Sequence, residues 1–552
     1  MATGEPLDVA VVGGGVSGLY AAWRLLNPGP GDSHWRAAGD GAPQVIVFEV
    51  SKRLGGRLLS PTPPGIPNLR AELGGMRFMS SQPLVSGLVK LLDLAADDLA
   101  ADEPDNIVYL RNTHLREREL ADSSKVPYQL DYFEQGVSPV GLTGRALEQV
   151  IPRIFEMDAD ELTHMVETRK IDGAYLWEWG FWNLLSLALS HEGFRFAQKG
   201  TGYDTALHNW NAADTIIMNA EFSPDAKYFR LRDGYEALPY RLADELVASG
   251  GSIERGHRLV SFDTTTLADG TVGVAMVFDA PDESGALVEH TVEARSLILA
   301  MPRRSIELLD QTGALLGPDN PEVHELLRSV TPNPLFVAAL CYDEPWWEAG
   351  AAPGQSIPFQ GRAITDLPIR QCYYWGVERD QPGGEMDDNA LLLIYDDGQN
   401  VDFWAGFRSE QSRVASMLAG DDGHAQWSDF EAPPNMITEL HRQIVELHDV
   451  RSAPFPYAAA WFDWGEDPYG GGVNFWKPGA KSWELIPRVA HPRPELPVFI
   501  VGEAYSKAQG WVEGALQTAE LVLQGSYFGL GAPTFPSAAD TGGEKPAAEP
   551  AR

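Results

Sequence analysis

Cysteine is nearly absent from this 552-residue chain, which contains only Cys341 and Cys372. Two thiols cannot form the disulfide framework that holds small secreted proteins together. Residues 1–8 also lack the basic region and the apolar core of a signal peptide. From these absences we expect a cytoplasmic protein.

Long apolar runs and excess positive charge are missing as well. Residues 181–189, for example, are too few and too interrupted by polar side chains to cross a bilayer. The formal net charge of −36 disfavours binding to phosphate backbones and anionic lipids, so we expect neither nucleic acid nor membrane as a partner. The 12 histidines show no metal-ligand spacing, and no metal site is predicted.

The length and composition are those of a multidomain globular protein. At 552 residues, the chain exceeds the size at which one hydrophobic core keeps growing, so two or three domains are expected. Periodicity predicts helices over 84–100, within 145–189, and over 235–247 and 512–524. It predicts strands over 252–262, 272–278, 289–299, 335–342, 371–377, 390–396, 458–464 and 495–501.

A glycine-rich turn near the N-terminus is the most informative feature present. An apolar strand pattern over 7–12 leads into Gly13, Gly15 and Gly18 in the spacing G-x-G-x-x-G, and a helical pattern follows. Gly13 allows a tight turn, Gly15 lets the backbone approach a pyrophosphate, and Gly18 lets the helix pack on the strand. The free N–H groups at the helix start, including those of Val16 and Ser17, would face the phosphates.

An acid completes this pattern. The second strand-like run, residues 45–49, ends in Glu49, whose carboxylate could bind ribose hydroxyls. A glycine motif alone is weak evidence, but the ordered set of strand, glycine turn, helix and acid predicts a dinucleotide site.

Further motifs follow in a recognisable order. They are residues 53–57 (RLGGR), 71–78 (AELGGMRF), 297–302 (LILAMP), 467–472 (DPYGGG), 475–479 (FWKPG) and 502–516 (GEAYSKAQGWVEGAL). Together with the glycine turn, they resemble the flavin-containing amine oxidase superfamily. Within it, they are most similar to the bacterial L-amino-acid oxidases and amino-acid 2-monooxygenases. The resemblance covers most of residues 7–525.

The resemblance implies an α/β chain with the two-domain flavin amine oxidase fold. A Rossmann-like FAD domain would be assembled from residues 1–80, 233–305 and 485–528. A substrate domain with a mixed sheet and a helical part would comprise residues 81–232 and 306–484. Residues 529–552 are rich in Gly, Pro, Ala, Ser and Glu, and are expected to form a disordered tail.

The resemblance also implies FAD as the cofactor. Attachment would be noncovalent, because no cysteine stands in residues 470–473, where monoamine oxidases carry one. Arg53 and Arg57 suit a pyrophosphate, since guanidinium groups are forked, permanently charged donors. Glu503 would bind the ribityl or phosphate region of the FAD. The positive end of the helix that follows would also stabilise its negative charge. The remaining positions that the resemblance places at the cofactor are Gly75, Met76, Arg77, Val260, Gly502, Trp511 and Val512.

Three residues are expected to act on the substrate. In the amino-acid oxidases an arginine at the position of Arg77 pairs with the substrate carboxylate; the alternative is an internal ion pair with Glu72, since a buried arginine needs an anion. Trp511 matches an aromatic beside the flavin, although the second aromatic expected near residues 472–473 is missing. Tyr374 matches a tyrosine that hydrogen-bonds the carboxylate, with Tyr373 as the alternative.

The implied reaction is oxidation of an L-amino acid at its Cα–N bond by hydride transfer to flavin, followed by reoxidation by O2. The products would be keto acid, ammonia and H2O2, or an amide if the imino acid is attacked before release. The alternatives are an amine or polyamine oxidase and an FAD-bound protein without oxidase turnover. A homodimer is expected.

Two questions stay open from the sequence. In most relatives a lysine holds a water near the flavin N5 atom and assists the reaction with O2. Residues 323–347 of this chain contain no lysine. Either Asn333 holds that water, or a lysine comes from elsewhere in the chain, or the reaction with O2 differs. The side-chain preference is also undetermined. Asp204 or Asp214 could bind a cationic side chain, and an aromatic pocket could be lined by Trp177, Trp179, Trp182 and Trp210.

Overall fold

The structure, a computed structural model, describes residues 5–29, 42–100, 102–204, 209–221, 227–282, 284–349, 360–384, 386–408 and 423–535. Residues 536–552, most of the tail predicted to be disordered, lie outside these ranges. No helix within them is long and apolar enough to span a membrane.

The first of two large sheets has seven strands from distant parts of the chain, in the order β10–β2–β1–β13–β12–β11, with β21 also pairing with β13. These strands are β1 (Leu7–Val12), β2 (Val45–Glu49), β10 (Ser252–Arg255), β11 (Arg258–Thr266), β12 (Val272–Pro281), β13 (Leu287–Leu299) and β21 (Val498–Ile500). The pairs β10–β2, β2–β1, β1–β13 and β13–β21 are parallel, whereas the pairs β11–β12 and β12–β13 are antiparallel.

Fifteen α-helices are seen in the described ranges. In chain order they are α1 (Val16–Leu26), α2 (Pro83–Leu91), α3 (Pro139–Val150), α4 (Ala159–Thr168), α5 (Phe181–Leu185), α6 (His191–Gly200), α7 (Ala212–Glu221), α8 (Ala237–Ala248), α9 (Arg303–Glu307), α10 (Pro321–Leu327), α11 (Trp346–Ala349), α12 (Val401–Ala405), α13 (Pro434–Leu447), α14 (Ser482–Ala490) and α15 (Val512–Gln524).

Helices cover both faces of the first sheet, which explains why β1 is apolar at nearly every position. Val9 and Val11 belong to a core shared with α1, α8 and α15. Ala10 and Val12 point to the other face, where α10 and α14 contribute to a second core. Successive side chains of a strand alternate between faces, so one short run serves both cores.

The second large sheet also has seven strands, in the order β19–β15–β18–β17–β16–β5–β6. They are β5 (Ile107–Leu110), β6 (Thr113–Arg116), β15 (Leu335–Tyr342), β16 (Arg362–Thr365), β17 (Gln371–Val377), β18 (Ala390–Asp397) and β19 (Ala458–Asp463). One face packs against α13. The other face packs against the segment around Leu59, Leu73 and Met76, which links it to the first sheet.

Three small sheets complete the fold. A three-stranded sheet has the order β3–β9–β4, and two pairs are formed by β7 with β8 and by β14 with β20. The strands are β3 (Phe78–Met79), β4 (Ala96–Leu99), β7 (Lys170–Ile171), β8 (Ala174–Tyr175), β9 (Tyr228–Leu231), β14 (Val330–Asn333) and β20 (Val473–Trp476).

Most predicted elements are confirmed, including the helix over 512–524 and the strands of the second sheet. The helix predicted over 84–100 is wrong in its second half. The chain leaves α2 at Leu91, Asp93 takes a positive φ, and β4 then pairs with β9. The single strand predicted over 252–262 is two strands, because β10 pairs with β2 whereas β11 pairs with β12.

Candidate active site

A cavity of about 710 Å³ lies where the glycine turn after β1 meets the second sheet. Its walls come from distant segments of the chain, as the sequence motifs require. The predicted site residues that line it are Gly13, Gly15, Val16, Ser17, Glu49, Arg57, Gly75, Met76, Arg77, Gly502, Glu503, Trp511 and Val512.

The glycine turn forms one end of the cavity. Gly13 has φ +120°, and a side chain there would collide with the carbonyl of Ala300, which directly follows the neighbouring strand β13. A side chain at Gly18 would collide with the carbonyl of Gly13, so α1 packs directly on the turn. At Gly15 an added Cβ would meet only the Cα of Gly56, at 3.9 Å. The backbone at Gly15 is therefore open to a ligand, as a pyrophosphate site needs.

Glu49 lies at the end of β2, beside the same turn. One carboxylate oxygen accepts the N–H of Gly14 at 2.6 Å, and the other accepts the N–H of Ser51 at 2.8 Å. These bonds fix the carboxylate at the cavity wall. Each oxygen keeps a lone pair that a ribose hydroxyl could use.

Arg57 and Glu503 form an ion pair in the cavity wall. Arg57 Nη1 lies 2.7 Å from Glu503 Oε2 and also donates to the carbonyl of Gly472 at 2.9 Å. The other oxygen of Glu503 accepts the N–H groups of Asn474 and Gly510. The Glu503 carboxylate therefore joins three segments of the chain, and Arg57 itself lines the cavity.

Arg53 does not belong to the cavity, in contrast to the prediction that both arginines of the RLGGR motif bind a pyrophosphate. Its Nη1 donates to the carbonyls of Leu54 and Leu58, each at 3.0 Å. Arg53 thus stabilises the loop that presents Arg57.

Arg77 lies in the cavity among tyrosines. Its Nη2 donates to the Tyr203 hydroxyl at 2.6 Å, and its guanidinium stands 4.4 Å from the ring centre of Tyr228. Nη1 is buried and has no hydrogen-bond partner among the described residues. The alternative ion pair with Glu72 is not formed, because Glu72 accepts from the Ser60 hydroxyl and the Tyr235 N–H instead.

A second buried arginine, which no sequence motif indicated, lies beside this group. Arg362 makes a two-pronged ion pair with Asp102, at 2.7 and 3.3 Å, and its guanidinium stands 4.7 Å from the ring centre of Tyr203. Burial alone raises the pKa of the Tyr203 phenol, but Arg77 and Arg362 together hold that pKa below its ordinary value. Tyr203, Arg362 and Asp102 stand outside the recognised segments.

The structure decides between the two neighbouring tyrosines. Tyr374 does not line the cavity: its hydroxyl bonds His448 at 3.0 Å on the helix-covered face of the second sheet. Burial lowers the pKa of His448 to about 4, so this histidine is neutral. Tyr373 points to the other face, lines the cavity and bonds the Tyr203 hydroxyl at 3.1 Å. The prediction of Tyr374 as a site residue is therefore corrected to Tyr373.

Val260 is a predicted cofactor-binding residue that does not line the cavity, and neither does Gly18. A bulge in β11 falls between Leu259 and Ser261, and the Val260 carbonyl accepts the N–H of Asp310 at 3.1 Å. The strand instead presents His257, Arg258 and Leu259 to the cavity. The cofactor contact expected at Val260 stays a prediction, and the residues just before it line the cavity.

Only one of the four tryptophans proposed for an aromatic pocket lines the cavity, and that residue is Trp210. The other three, Trp177, Trp179 and Trp182, pack at the edge of the helical core. Neither of the two acids proposed for a cationic side chain lines the cavity. Asp204 pairs with Lys199 and Arg370, and Asp214 accepts from the Ser482 hydroxyl.

Trp511 lines the cavity as the residue that precedes α15. Val473 also lines the cavity, and no aromatic side chain stands at residues 472–473, where the second one was expected. An aromatic pair lies close by: Phe475, two residues further along β20, stacks on Trp210 with ring centres 3.5 Å apart.

The cavity lining bears on the lysine that most relatives carry. No lysine lines the cavity in the described part of the chain. Asn333 does not line it either, because its side-chain amide donates to the Pro334 carbonyl and its own carbonyl accepts the N–H of Gly472. Asn333 is therefore a poor candidate for holding a water at the cofactor.

Cys341 and Cys372 are both free and buried in the second sheet. Neither contributes to the cavity. Among the described residues, no group of three or more His, Cys, Asp or Glu is arranged to hold a metal ion.

Comparison with known proteins agrees with this geometry. The family model for flavin containing amine oxidoreductases matches residues 16–522. Achacin from Lissachatina fulica is 24% identical, and the match covers 95% of this chain and 93% of achacin. An L-amino-acid oxidase from Mus musculus is 23% identical, with 82% of this chain and 66% of that protein covered.

The fold is shared with solved amine oxidases. Putrescine oxidase bound to putrescine superimposes with a TM-score of 0.61 at 16% identity, covering 93% of this chain and 97% of the other. The expected α/β flavin amine oxidase fold is confirmed, and a flavin is the cofactor of this family. The chain belongs to the flavin-containing amine oxidoreductase family.

Proposed function

We propose that this protein oxidises the α-amino group of an L-amino acid, with FAD as its cofactor and O2 as the final electron acceptor. The products are a keto acid, ammonia and H2O2. Arg77 carries this proposal, because a buried guanidinium whose Nη1 has no partner among the described residues calls for an anion. An amino-acid substrate brings a carboxylate, whereas a plain amine does not.

The cavity fits FAD. The open backbone at Gly15 and the first N–H groups of α1 suit a pyrophosphate, Arg57 adds a cation, and Glu49 suits ribose hydroxyls. We propose noncovalent binding, because both cysteines lie outside the cavity lining. When bound, FAD accepts a hydride equivalent from the substrate and passes the electrons to O2.

The protein's own residues would bind and orient the substrate. Arg77 would hold the carboxylate, and Tyr203 and Tyr373 would complete its hydrogen bonding, since they form a chain with Arg77. Trp511 would wall the reacting carbon and exclude water. Positioning of this kind supplies much of the barrier reduction without a protein base.

The test compares Arg77→Ala and Arg77→Lys with the wild type on L-phenylalanine and on 2-phenylethylamine, its decarboxylated amine. Arg77→Ala should lower kcat/KM for the amino acid by a factor that corresponds to about 2 to 4 kcal/mol of lost transition-state stabilisation. It should leave kcat/KM for the amine nearly unchanged. Arg77→Lys should retain part of the activity, because it keeps the charge but loses the fork. Equal losses for both substrates, with flavin content unchanged, would contradict the carboxylate role.

We also propose that part of the product is the amide formed by oxidative decarboxylation. The absence of a lysine from the described cavity lining supports this, because slow reaction with O2 leaves the imino acid bound for longer. The H2O2 formed beside it would add to the imino carbon, and loss of CO2 and water would leave the amide. Mass spectrometry of the products, with and without catalase, alongside stopped-flow reoxidation, would test it. Keto acid alone, together with fast reoxidation, would identify a plain oxidase. The homodimer and the cytoplasmic location stay predictions.

A further inference from the structure

The carboxylates that line the cavity already have partners in the protein. Three acidic residues belong to the described lining. Glu49 accepts two backbone N–H groups, Glu503 pairs with Arg57, and Asp102 pairs with Arg362. A cationic side chain entering the cavity would thus lose its water shell and would compete with an arginine for Glu503 or Asp102, or with backbone N–H groups for Glu49. Desolvation without a free counter-ion costs several kcal/mol for an ammonium group.

The lining contributed by the helical region is mainly apolar. From the region of helices α3 to α7, Leu147, Trp210 and Met218 line the cavity, and Phe475 joins them from β20. Trp210 and Phe475 stack nearly parallel, with an angle of 10° between their rings. Two stacked rings present a broad, rigid surface at low entropic cost, and such a surface favours large uncharged groups.

The position of Trp210 is held firmly. Its carbonyl accepts the N–H of Phe181 at 2.6 Å, and the next residue, Asn211, donates to the carbonyl of Trp476 at 3.0 Å. These bonds tie Trp210 to β20. On the same strand, the Val473 side chain lies beside Gly510, because a Cβ added at Gly510 would be 3.4 Å from it. Trp210 is therefore anchored to the strand that faces the segment of Trp511.

We propose that Trp210, supported by Phe475, is a specificity-determining residue that walls the side-chain end of the site. It selects L-amino acids with large, uncharged, apolar side chains over those with basic or acidic ones. The assignment rests on the proposed function, and it names the substrate class that the proposed function leaves open.

The first experiment measures binding without turnover. Hexanoate and 6-aminohexanoate differ only by a terminal ammonium, and neither has an α-amino group to be oxidised. Titration of the flavin-loaded protein, followed by the flavin absorbance spectrum, should show hexanoate binding at least about tenfold more tightly. Equal or tighter binding of 6-aminohexanoate would overturn the proposal, and so would the absence of binding by either probe.

The second experiment tests Trp210 itself. Trp210→Ala should lower kcat/KM for L-norleucine by about tenfold or more, mainly through KM, and should weaken hexanoate binding to a similar extent. Trp210→Phe should restore most of both, because it keeps the stacking ring. The matched control is Trp182→Ala, since Trp182 stacks on Phe194 outside the cavity lining. Equal behaviour of Trp210→Ala and Trp182→Ala, at equal flavin content and melting temperature, would overturn the proposal.

Failure of the proposed function is distinguishable from failure of this inference. If no L-amino acid reduces the flavin but amines do, the amino-acid assignment fails. In that case hexylamine and 1,6-diaminohexane replace the amino acids as a matched pair. A preference of the wild type for hexylamine that Trp210→Ala loses would still support the wall at Trp210, and a preference for the diamine would overturn it.

Discussion

Arg77 and Tyr203 are joined by a 2.6 Å hydrogen bond across 126 positions of sequence. The bond connects the AELGGMRF motif itself to Tyr203, which follows α6, and the Tyr203 hydroxyl bonds that of Tyr373 in turn. Arg77 Nη1 is left buried without a partner among the described residues. The proposed binding of a substrate carboxylate depends on this buried, unpartnered donor.

The first prediction concerns the cofactor. Purified protein should be yellow, and acid precipitation should release free FAD into the supernatant, because no cysteine lines the cavity in the described structure. Gly15→Val should abolish flavin retention, since a branched side chain would fill the space where the backbone is open. Absorbance of the supernatant and pellet measures both. Flavin that stays with the acid pellet would contradict noncovalent binding.

The second prediction uses the two neighbouring tyrosines as test and control. Tyr373→Phe should raise KM for amino acids about three- to tenfold, because it removes one hydrogen bond near Arg77. Tyr374→Phe should leave KM unchanged and lower only stability, since Tyr374 bonds the buried His448 on the opposite face. Steady-state kinetics and thermal melts separate the two effects. A raised KM for Tyr374→Phe together with an unchanged KM for Tyr373→Phe would assign the substrate-binding role to Tyr374.

The third prediction concerns Trp511. Trp511→Ala should slow anaerobic flavin reduction by about tenfold or more while FAD stays bound, because the residue orients substrate and excludes water. Stopped-flow absorbance measures the reduction step, and the flavin-to-protein ratio is the control. Reduction at the wild-type rate would limit Trp511 to a packing role.

The fourth prediction concerns pH and stability. Burial raises the pKa of Glu72 to about 8, against the effect of its hydrogen bonds from Ser60 and Tyr235. The folded protein then holds a proton that the unfolded chain loses above its ordinary pKa of about 4.3. This contribution to stability is full below that value and is lost as pH rises to about 8.

The variant Glu72→Gln removes this titration while keeping the shape of the side chain. Its melting temperature should therefore fall less than that of the wild type between pH 5 and pH 9. Over this range the unfolding free energy of the wild type should drop by on the order of a few kcal/mol more than that of the variant. Differential scanning calorimetry across that range measures the effect. Parallel pH profiles for the two proteins would show that Glu72 is ionised in the fold.

The sequence was sufficient for the parts of the site that a local pattern encodes. The strand, glycine turn, helix and acid from Leu7 to Glu49 needed only neighbouring residues, and each lies where the motif predicts. The substrate end of the site was harder to predict, because it depends on which face of the second sheet each side chain occupies. The run QCYYWGV is buried on both faces, so alternation could not show whether Tyr373 or Tyr374 faces the cavity.

Other parts depend on distant contacts that no local pattern reveals. β4 forms because β9 offers a pairing partner, which overrides the helical periodicity that continues past Leu91. Arg362 and Asp102 meet at the cavity although 260 positions separate them. Both cases are set by tertiary structure, and no motif marked either residue pair.

The central claim is that the substrate carries a carboxylate held by Arg77. The most direct measurement is anaerobic reduction of the wild-type flavin by matched pairs of L-amino acids and their decarboxylated amines, followed by loss of flavin absorbance. The account predicts rapid bleaching by L-norleucine and L-phenylalanine, and bleaching at least about a hundredfold slower by pentylamine and 2-phenylethylamine. Faster bleaching by the amines than by the amino acids would contradict it.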